Sequence, residues 1–535
     1  MRHKSVLAAL AAVIIAPLVW SGPAQAPKPE TRPLSLADCI RKALEANLDL
    51  AIEALNPEMD AESVAEAREK YLPEFGLSSN YLDQDIPSSW GLEGPTIKTK
   101  MDYYQFGVTQ RTPLGTELDL GLSTRKTDTS RAYPIVNPAY YSEFRLNLRQ
   151  PLLRDFGFKA NRYESIKARR QLDVSEAALK TTLIQTVYGV EEAYWNLYYA
   201  QESLRVLEMS LLQSRETLKR NMDAARIGTK SAVEVLSAET EVAGYEDRIL
   251  SARLQAEKTE NRLKSLINMP VAGAGAGAAA GVTAVAEKDF VSILPADKPE
   301  AEMRVVTFED ALATAVAERP ELARADAMIA NAATDVGYYK NQLLPRLDLN
   351  LSLWSPGQSG VKYVYLDDNP LTGIVIDTII GSRGESFKDV FRMAYSNIQL
   401  AATLSVPLSN IVSRAGLARA RLAQDQARLQ LEKERQTIEV EVTEAVKDLE
   451  ASATKIATSA RYRELMEKRV QAETQRYDLG LVGSEWLFTY QRNLAQAKAD
   501  EIRAVIDYKI ALAALDKAMG TTLRAKGLKF KGYDF

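Results

Sequence analysis

Across residues 162–269, apolar side chains recur at a spacing of seven: Leu183, Val190, Leu197, Leu204, Leu211, Leu218 and Ala225, with Leu179, Ala193, Ala200 and Leu207 on a second track four residues ahead. Such a pattern is the seam of a coiled coil. It stops at residues 225–231 and resumes as Val235, Val242, Ile249, Ala256 and Leu263, and no proline interrupts the stretch. The pattern predicts two long antiparallel helices joined at a tight tip. At about 1.5 Å per residue the first would be on the order of 100 Å long, several times an ordinary globular helix. A strict sevenfold period imposes left-handed supercoiling on packed neighbours, and alanines on the seam let those neighbours come close.

Upstream, Ser35-Leu36-Ala37-Asp38 predicts a serine-capped helix that continues through Ile40, Ala43 and Leu44. A second helix passes Ala61, Ala65 and Ala67 and ends at Tyr71, Leu72 and Pro73. There the period changes from helical to twofold: Phe75, Leu77, Ser79 and Tyr81 alternate with Gly76, Ser78 and Asn80. Alternation returns at Phe106 and Val108, at Leu118, Leu120 and Leu122, and at Phe144, Leu146 and Leu148, with loops between. Pro73 and Pro151 bracket this strand region, because proline neither donates to a ladder nor sits inside a helix.

The order then repeats. Thr307-Phe308-Glu309-Asp310 matches Ser35-Leu36-Ala37-Asp38, and the same offset, without a gap, lays Leu344-Pro345-Arg346-Leu347-Asp348-Leu349 on Leu72-Pro73-Glu74-Phe75-Gly76-Leu77. Pro407 then corresponds to Pro151, and Asp478-Leu479-Gly480 to Arg226-Ile227-Gly228. The expected organisation is a first repeat at 27–270, with strands at 74–150 and a hairpin at 162–269. A linker and equatorial segment at 271–306 follows, opening with the low-complexity run 271–278. The second repeat occupies 307–520, with strands at 346–406 and a hairpin at 412–519, and 521–535 form a tail. Residues 373–380 read as an apolar piece of a long loop between the second-half strands.

Residues 1–26 carry a basic start, an apolar run from Val6 to Trp20 and a small-residue end at Ala24-Gln25-Ala26, the pattern of a secretory signal. An N-terminal membrane anchor is the alternative, although the run is shorter than the ~20 residues a span needs. His3 is the only histidine and Cys39 the only cysteine. That removes Ser-His-Asp and Cys-His nucleophile systems, histidine-rich zinc sites and intrachain disulfides. Cys39 reads as a buried helix residue. The net charge of −4 argues against a nucleic-acid partner. Past the signal no apolar run approaches a transmembrane helix, so a membrane location requires strands.

A few alternating strands per repeat cannot close a useful barrel alone, and closure by several copies is the economical answer. A barrel made from three chains would span an outer membrane with its backbone groups paired, while the rods of the same chains enclose a tunnel. The duplicated Leu-Pro, the strand-ending prolines and the tip Gly228-Thr229-Lys230-Ser231-Ala232-Val233-Glu234-Val235-Leu236 resemble those of TolC-like outer-membrane efflux proteins. The fold class expected is mainly α with β, in which two repeats of long coiled-coil hairpins carry strands that contribute to a shared trimeric transmembrane β-barrel. The resemblance implies a homotrimer in outer-membrane lipid whose helices cross the periplasm to meet an adaptor (membrane fusion) protein and an inner-membrane pump of RND or ABC type. It implies no enzyme activity, no cofactor and no metal. It also implies a twelve-stranded barrel, with the hairpin around Pro113-Leu114-Gly115 as an elaboration outside the ring; six strands per chain would give a wider pore.

In this family the closed end is held by acidic residues and polar links just after the second tip. Here Glu485 stands near that place, one position early, and Glu485, Asp478, Glu234 and Lys230 are the aperture candidates. Glu485 reads equally as a charge favoured by a helix N-terminus, and Glu234 has Ser231 three residues earlier in a capping-box arrangement. Gly228 and Gly480 read as helix C-caps with positive φ. Ile227, Leu481 and Val482 would offer the adaptor an apolar docking edge. Pro73, Pro151, Pro345 and Pro407 are boundary devices between helix bundle and sheet. Two other classes fit parts of the pattern: a coiled-coil envelope scaffold, which leaves the duplicated strands unexplained, and a secreted enzyme with a carboxylate pair, whose carboxylates fall mostly on exposed helix faces.

Overall fold

The structure, a computed structural model, describes residues 30–91, 93–270, 291–300, 303–530 and 533–534. The expected signal at 1–26, with His3, and the low-complexity run at 271–278 lie outside the described residues. The described chain opens with strand β1 (Glu30–Leu34) and helices α1 (Leu36–Ala46) and α2 (Leu48–Glu69). Ser35 Oγ caps α1 by accepting from the Asp38 N–H at 3.1 Å, and Asn47 Oδ1 caps α2 by accepting from the Leu50 N–H at 3.0 Å. Pro73 stands directly before β2 (Glu74–Pro87), which is followed by β3 (Thr96–Arg111), β4 (Glu117–Thr129) and β5 (Val136–Pro151). A one-turn helix α3 (Phe158–Asn161) leads into α4 (Tyr163–Arg226), which returns as α5 (Ala232–Leu266).

The second half follows the same plan. After β6 (Val291–Pro295) come α6 (Phe308–Glu318) and α7 (Pro320–Gln342). Thr307 Oγ1 accepts from the Asp310 N–H at 3.2 Å, the same cap as at Ser35. Pro345 directly precedes β7 (Arg346–Tyr365); β8 (Val375–Ile380), α8 (Arg383–Phe391) and β9 (Asn397–Ser405) follow, with Pro407 just beyond. The hairpin α9 (Ile411–Asp478) and α10 (Ser484–Ala518) completes the bundle.

The rods are unequal. At ~1.5 Å per residue α4 and α9, with 64 and 68 residues, each run about 100 Å, whereas the 35-residue α5 and α10 reach about half as far. The remaining length is filled by α2, packed on α4, and by α7, packed on α4 and α9. Where these shorter helices meet, the bundle has its apolar core. Leu183, Val190 and Leu197 of the α4 seam are fully buried there with Cys39 of α1, Leu263 of α5, Ile293 of β6 and Ile506 of α10. A second cluster joins Ala311 and Ala315 of α6 to Ile438, Val442 and Leu449 of α9 and Leu515 of α10. β1 and β6 pair in parallel beside the first cluster, and the Tyr194 hydroxyl donates to the Leu34 carbonyl at 3.1 Å. Burial pushes the Cys39 thiol up to about 12. No helix among the described residues is long and apolar enough to cross a membrane.

The strands form one antiparallel sheet in the order β2-β3-β4-β5-β7, with β9 on the first part of β7 and β8 on its last part. Two expectations are corrected here. The hairpin around Pro113-Leu114-Gly115, expected as an elaboration outside the ring, is not set apart from the sheet: within the chain β3 and β4 are interior members, bonded along nearly their whole length to β2 and β5. The apolar piece at 373–380 is not loop throughout, since Val375–Ile380 pairs with β7 as β8. The first follows from register, because every interior strand extends the same two-faced pattern; the second follows from the edge that the last part of β7 leaves beside β9.

Following the register, Phe75 and Leu77, Phe106 and Val108, Leu118 to Leu122, Phe144 to Leu148, Leu347 to Leu353 and Ile398 to Leu404 place alternate residues on one face. Leu77, Leu400 and Leu404 of this apolar face are exposed in the single chain. The opposite face is polar, and on it Arg149 bridges Glu117 at 2.9 Å and Asp348 at 3.1 Å. This alternation is that of a membrane barrel wall, apolar towards lipid and polar towards a lumen. On the apolar side, beyond these rows, α8 packs on the sheet with Ser386 Oγ 2.7 Å from Ser142 Oγ.

Candidate functional site at the helical tips

Both tips end in the same local geometry. Gly228 has φ of +80° and Gly480 of +72°, a region that side-chain-bearing residues rarely adopt. At the first tip the N–H of Gly228 donates to the Ala225 carbonyl at 3.0 Å and that of Thr229 to Ala224 at 3.0 Å. At the second, Gly480 donates to Tyr477 and Leu481 to Arg476, both at 2.9 Å. The paired bonds satisfy the last carbonyls of α4 and α9 and turn the chain sharply. Ser231 then caps α5, its hydroxyl accepting from the Glu234 N–H.

Above the tips, polar side chains join the two hairpins. The Tyr477 hydroxyl of α9 donates to Asn221 Oδ1 of α4, and Asn221 Nδ2 donates to the Glu234 carbonyl at 3.3 Å. Lys230 lies 3.1 Å from Glu234 of its own hairpin and 4.0 Å from the centre of the Tyr477 ring, so its cation–π contact links the first tip to the second hairpin. One helical turn or two higher, Arg492 of α10 meets Glu241 of α5 at 2.5 Å. Glu473, 2 % exposed, is held by Arg469 at 2.9 Å and Arg476 at 3.1 Å. Arg469 also stacks over Tyr490, which lies against Trp486. Burial raises the neighbouring Tyr245 phenol, with the Glu241 carboxylate adding to the shift.

The sequence candidates thus separate. Lys230 and Glu234 stand within the linking cluster, whereas Asp478, the last residue of α9, and Glu485, in the first turn of α10, are exposed. No salt bridge among the described residues reaches Glu485. Ile227 and Leu481 are exposed at the ends of the rods, and Val482 is half-buried. Val233, Leu236, Leu479 and Trp486 enlarge the exposed apolar edge. Sequence reasoning missed Asn221, Tyr477, Glu241 and Arg492. Their signal was present: the second seam track that carries Ala200 and Leu207 continues as Ser214 and Asn221, polar residues where packing alone calls for apolar ones.

The comparisons bear on the family and on the fold. A family model described as outer membrane efflux protein matches residues 104–269 and 311–521. The chain is 23% identical over 360 residues to the pyoverdine export outer membrane protein OpmQ of Pseudomonas putida, a match covering 66% of this chain and 65% of that protein. The match therefore spans just under two thirds of that relative. The fold is similar to the outer membrane channel CmeC of Campylobacter jejuni, with a TM-score of 0.62 at 15% identity over 91% of this chain and 86% of that one. It is also similar to the open state of the Neisseria gonorrhoeae outer membrane channel MtrE, with a TM-score of 0.60 at 18% identity over 91% and 89% of the two chains.

Proposed function

The chain belongs to the outer membrane efflux protein family, whose members are passive channels, with its helices in the periplasm, and on that premise we propose that it is the exit duct of a tripartite efflux or type I secretion system. Three copies form the duct. Their sheets close a barrel through the outer membrane and their rods enclose a periplasmic tunnel. The duct performs no catalysis and carries no cofactor; an inner-membrane pump supplies the work, and a periplasmic adaptor joins the two.

The observation that carries this reading is the contrast at the tip between polar side chains inside and apolar ones outside. Tyr477–Asn221, Lys230–Tyr477 and Arg492–Glu241 hold the second hairpin against the first. Each such link has a net worth of about 1 kcal/mol, because water or a partner's polar groups can replace it. Opening then means swinging α9 and α10 away from α4 and α5 at the tip while the apolar core above stays packed. In the closed trimer the exposed Asp478 and Glu485 of each copy ring the aperture. The apolar edge of Ile227, Leu481 and Val482 is covered by adaptor helices, which removes it from water. An envelope scaffold without transport would have no use for a sheet with one apolar and one charged face.

The test is the mass of the purified protein in detergent together with its conductance in a planar bilayer. A trimer that gives small, mostly closed steps is expected. A stable monomer, or absence from the outer-membrane fraction, overturns the proposal.

A further inference from the structure

Resting on the trimeric reading above, we propose that the barrel has eighteen strands, closed by pairing the free edge of β2 in one copy with the free edge of β9 in the next. Within one chain the sheet has seven strands, in which β9 and the short β8 share one edge of β7; β2 and β9 end the path β2-β3-β4-β5-β7-β9, and among the described residues each leaves one row of backbone donors and acceptors without a ladder partner. In hydrocarbon such rows must be paired. β2 runs away from the helical bundle and β9 runs back to it, so the two edges meet antiparallel, as an up-and-down barrel requires.

Leaving β2 and β3 outside a smaller ring would strand Phe75, Leu77, Phe106 and Val108, which continue the apolar face of the interior strands. The girth agrees as well. Each chain brings four helix columns, namely α4, α9, α5 continued by α2, and α10 continued by α7. Twelve columns spaced ~8–10 Å apart give a circumference of about 110 Å. Strands ~4.8 Å apart and tilted ~40° each take up about 6 Å, so eighteen also give about 110 Å and twelve only about 75 Å.

The register supplies the tilt and the seam. A row across the ladders runs Glu74, Thr109, Asp119, Asn147, Ser352 and Gln399. It begins at the foot of β2 and ends well above Ser405, the foot of β9. That climb of about 20 Å along the strands over about 24 Å across them corresponds to a tilt of about 40°, within the range of membrane barrels. Continued across the sixth spacing into the next copy at the same slope, the row reaches about seven residues above Glu74 and brings Gln399 opposite Asn80 or Leu82, the two positions at that height whose side chains share its face.

The experiment is disulfide formation between copies in outer-membrane vesicles. The full-length chain carries Cys39→Ala and Gln399→Cys, paired in turn with Ser78→Cys, Asn80→Cys, Leu82→Cys or, as an opposite-face control, Tyr81→Cys; the single-cysteine chains report folding. A covalent trimer from Asn80→Cys, or from a neighbour two residues away, with little from Tyr81→Cys, is the expected result. A trimer by native mass in which none of the even-numbered positions cross-links, or in which Tyr81→Cys reacts best, overturns the eighteen-stranded closure and leaves the duct reading standing. A monomer by native mass overturns both.

Discussion

At its equatorial end α4 meets its neighbours through Leu183, Val190 and Leu197, all fully buried. About 40 Å further along the same helix, at ~1.5 Å per residue, the buried positions are Ser214, Thr217 and Asn221. Apolar burial near the tips is confined, among the described residues, to a few side chains such as Ala238, Leu487 and Phe488. One seam thus serves two purposes. Apolar contact at ~25 cal/mol per Å² has no substitute in water and makes a permanent joint, whereas hydrogen bonds and ion pairs exchange with water at little net cost and make a joint that can part.

The largest effect should come from the permanent end. Leu197→Ala is expected to destabilise the protein by about 2–5 kcal/mol through the cavity it leaves, lowering the melting temperature and the folded yield without raising the frequency of channel opening. Arg492→Ala takes the ion pair from the buried Glu241 carboxylate, whose other oxygen already has no partner among the described residues, an expected loss of about 1–3 kcal/mol at the tip, read as more frequent openings in a bilayer. Tyr477→Phe keeps the ring under Lys230 and removes only the hydroxyl, so a loss of about 1 kcal/mol and a smaller rise in opening are expected. Lys230→Gln, which removes a cation–π contact worth about 0.5–1 kcal/mol, should follow. Glu485→Ala should change stability by no more than about 0.5 kcal/mol and be seen only in the ion selectivity of the aperture. If Leu197→Ala opened the channel as readily as Arg492→Ala, the division between the two ends would fail.

Much of this architecture is written in local patterns. The caps at Ser35 and Thr307, the prolines at 73, 151, 345 and 407 and the glycines at both tips act within a few residues of themselves, so their consequences can be read from the chain. The sheet is different. The alternation of Leu118, Leu120 and Leu122 announces a strand, but whether that strand lies within the sheet or apart from it depends on the strands it pairs with, and only the registers of β3 and β4 decide it. The tip cluster is harder still. Asn221 and Tyr477 are separated by half the chain, and what makes them partners is the packing of one hairpin on the other. The polar break in the seam at Ser214 and Asn221 marks where to look, not what is found there.

Single-channel recording of a chain carrying both Tyr477→Phe and Arg492→Ala, beside the unchanged protein, tests the central claim most directly. The account predicts an intact trimer whose open probability rises at least several-fold while its melting temperature falls by only a few degrees. An intact trimer that stays closed as often as the unchanged protein would contradict it, because the links between the hairpins would then not be what holds the tip shut.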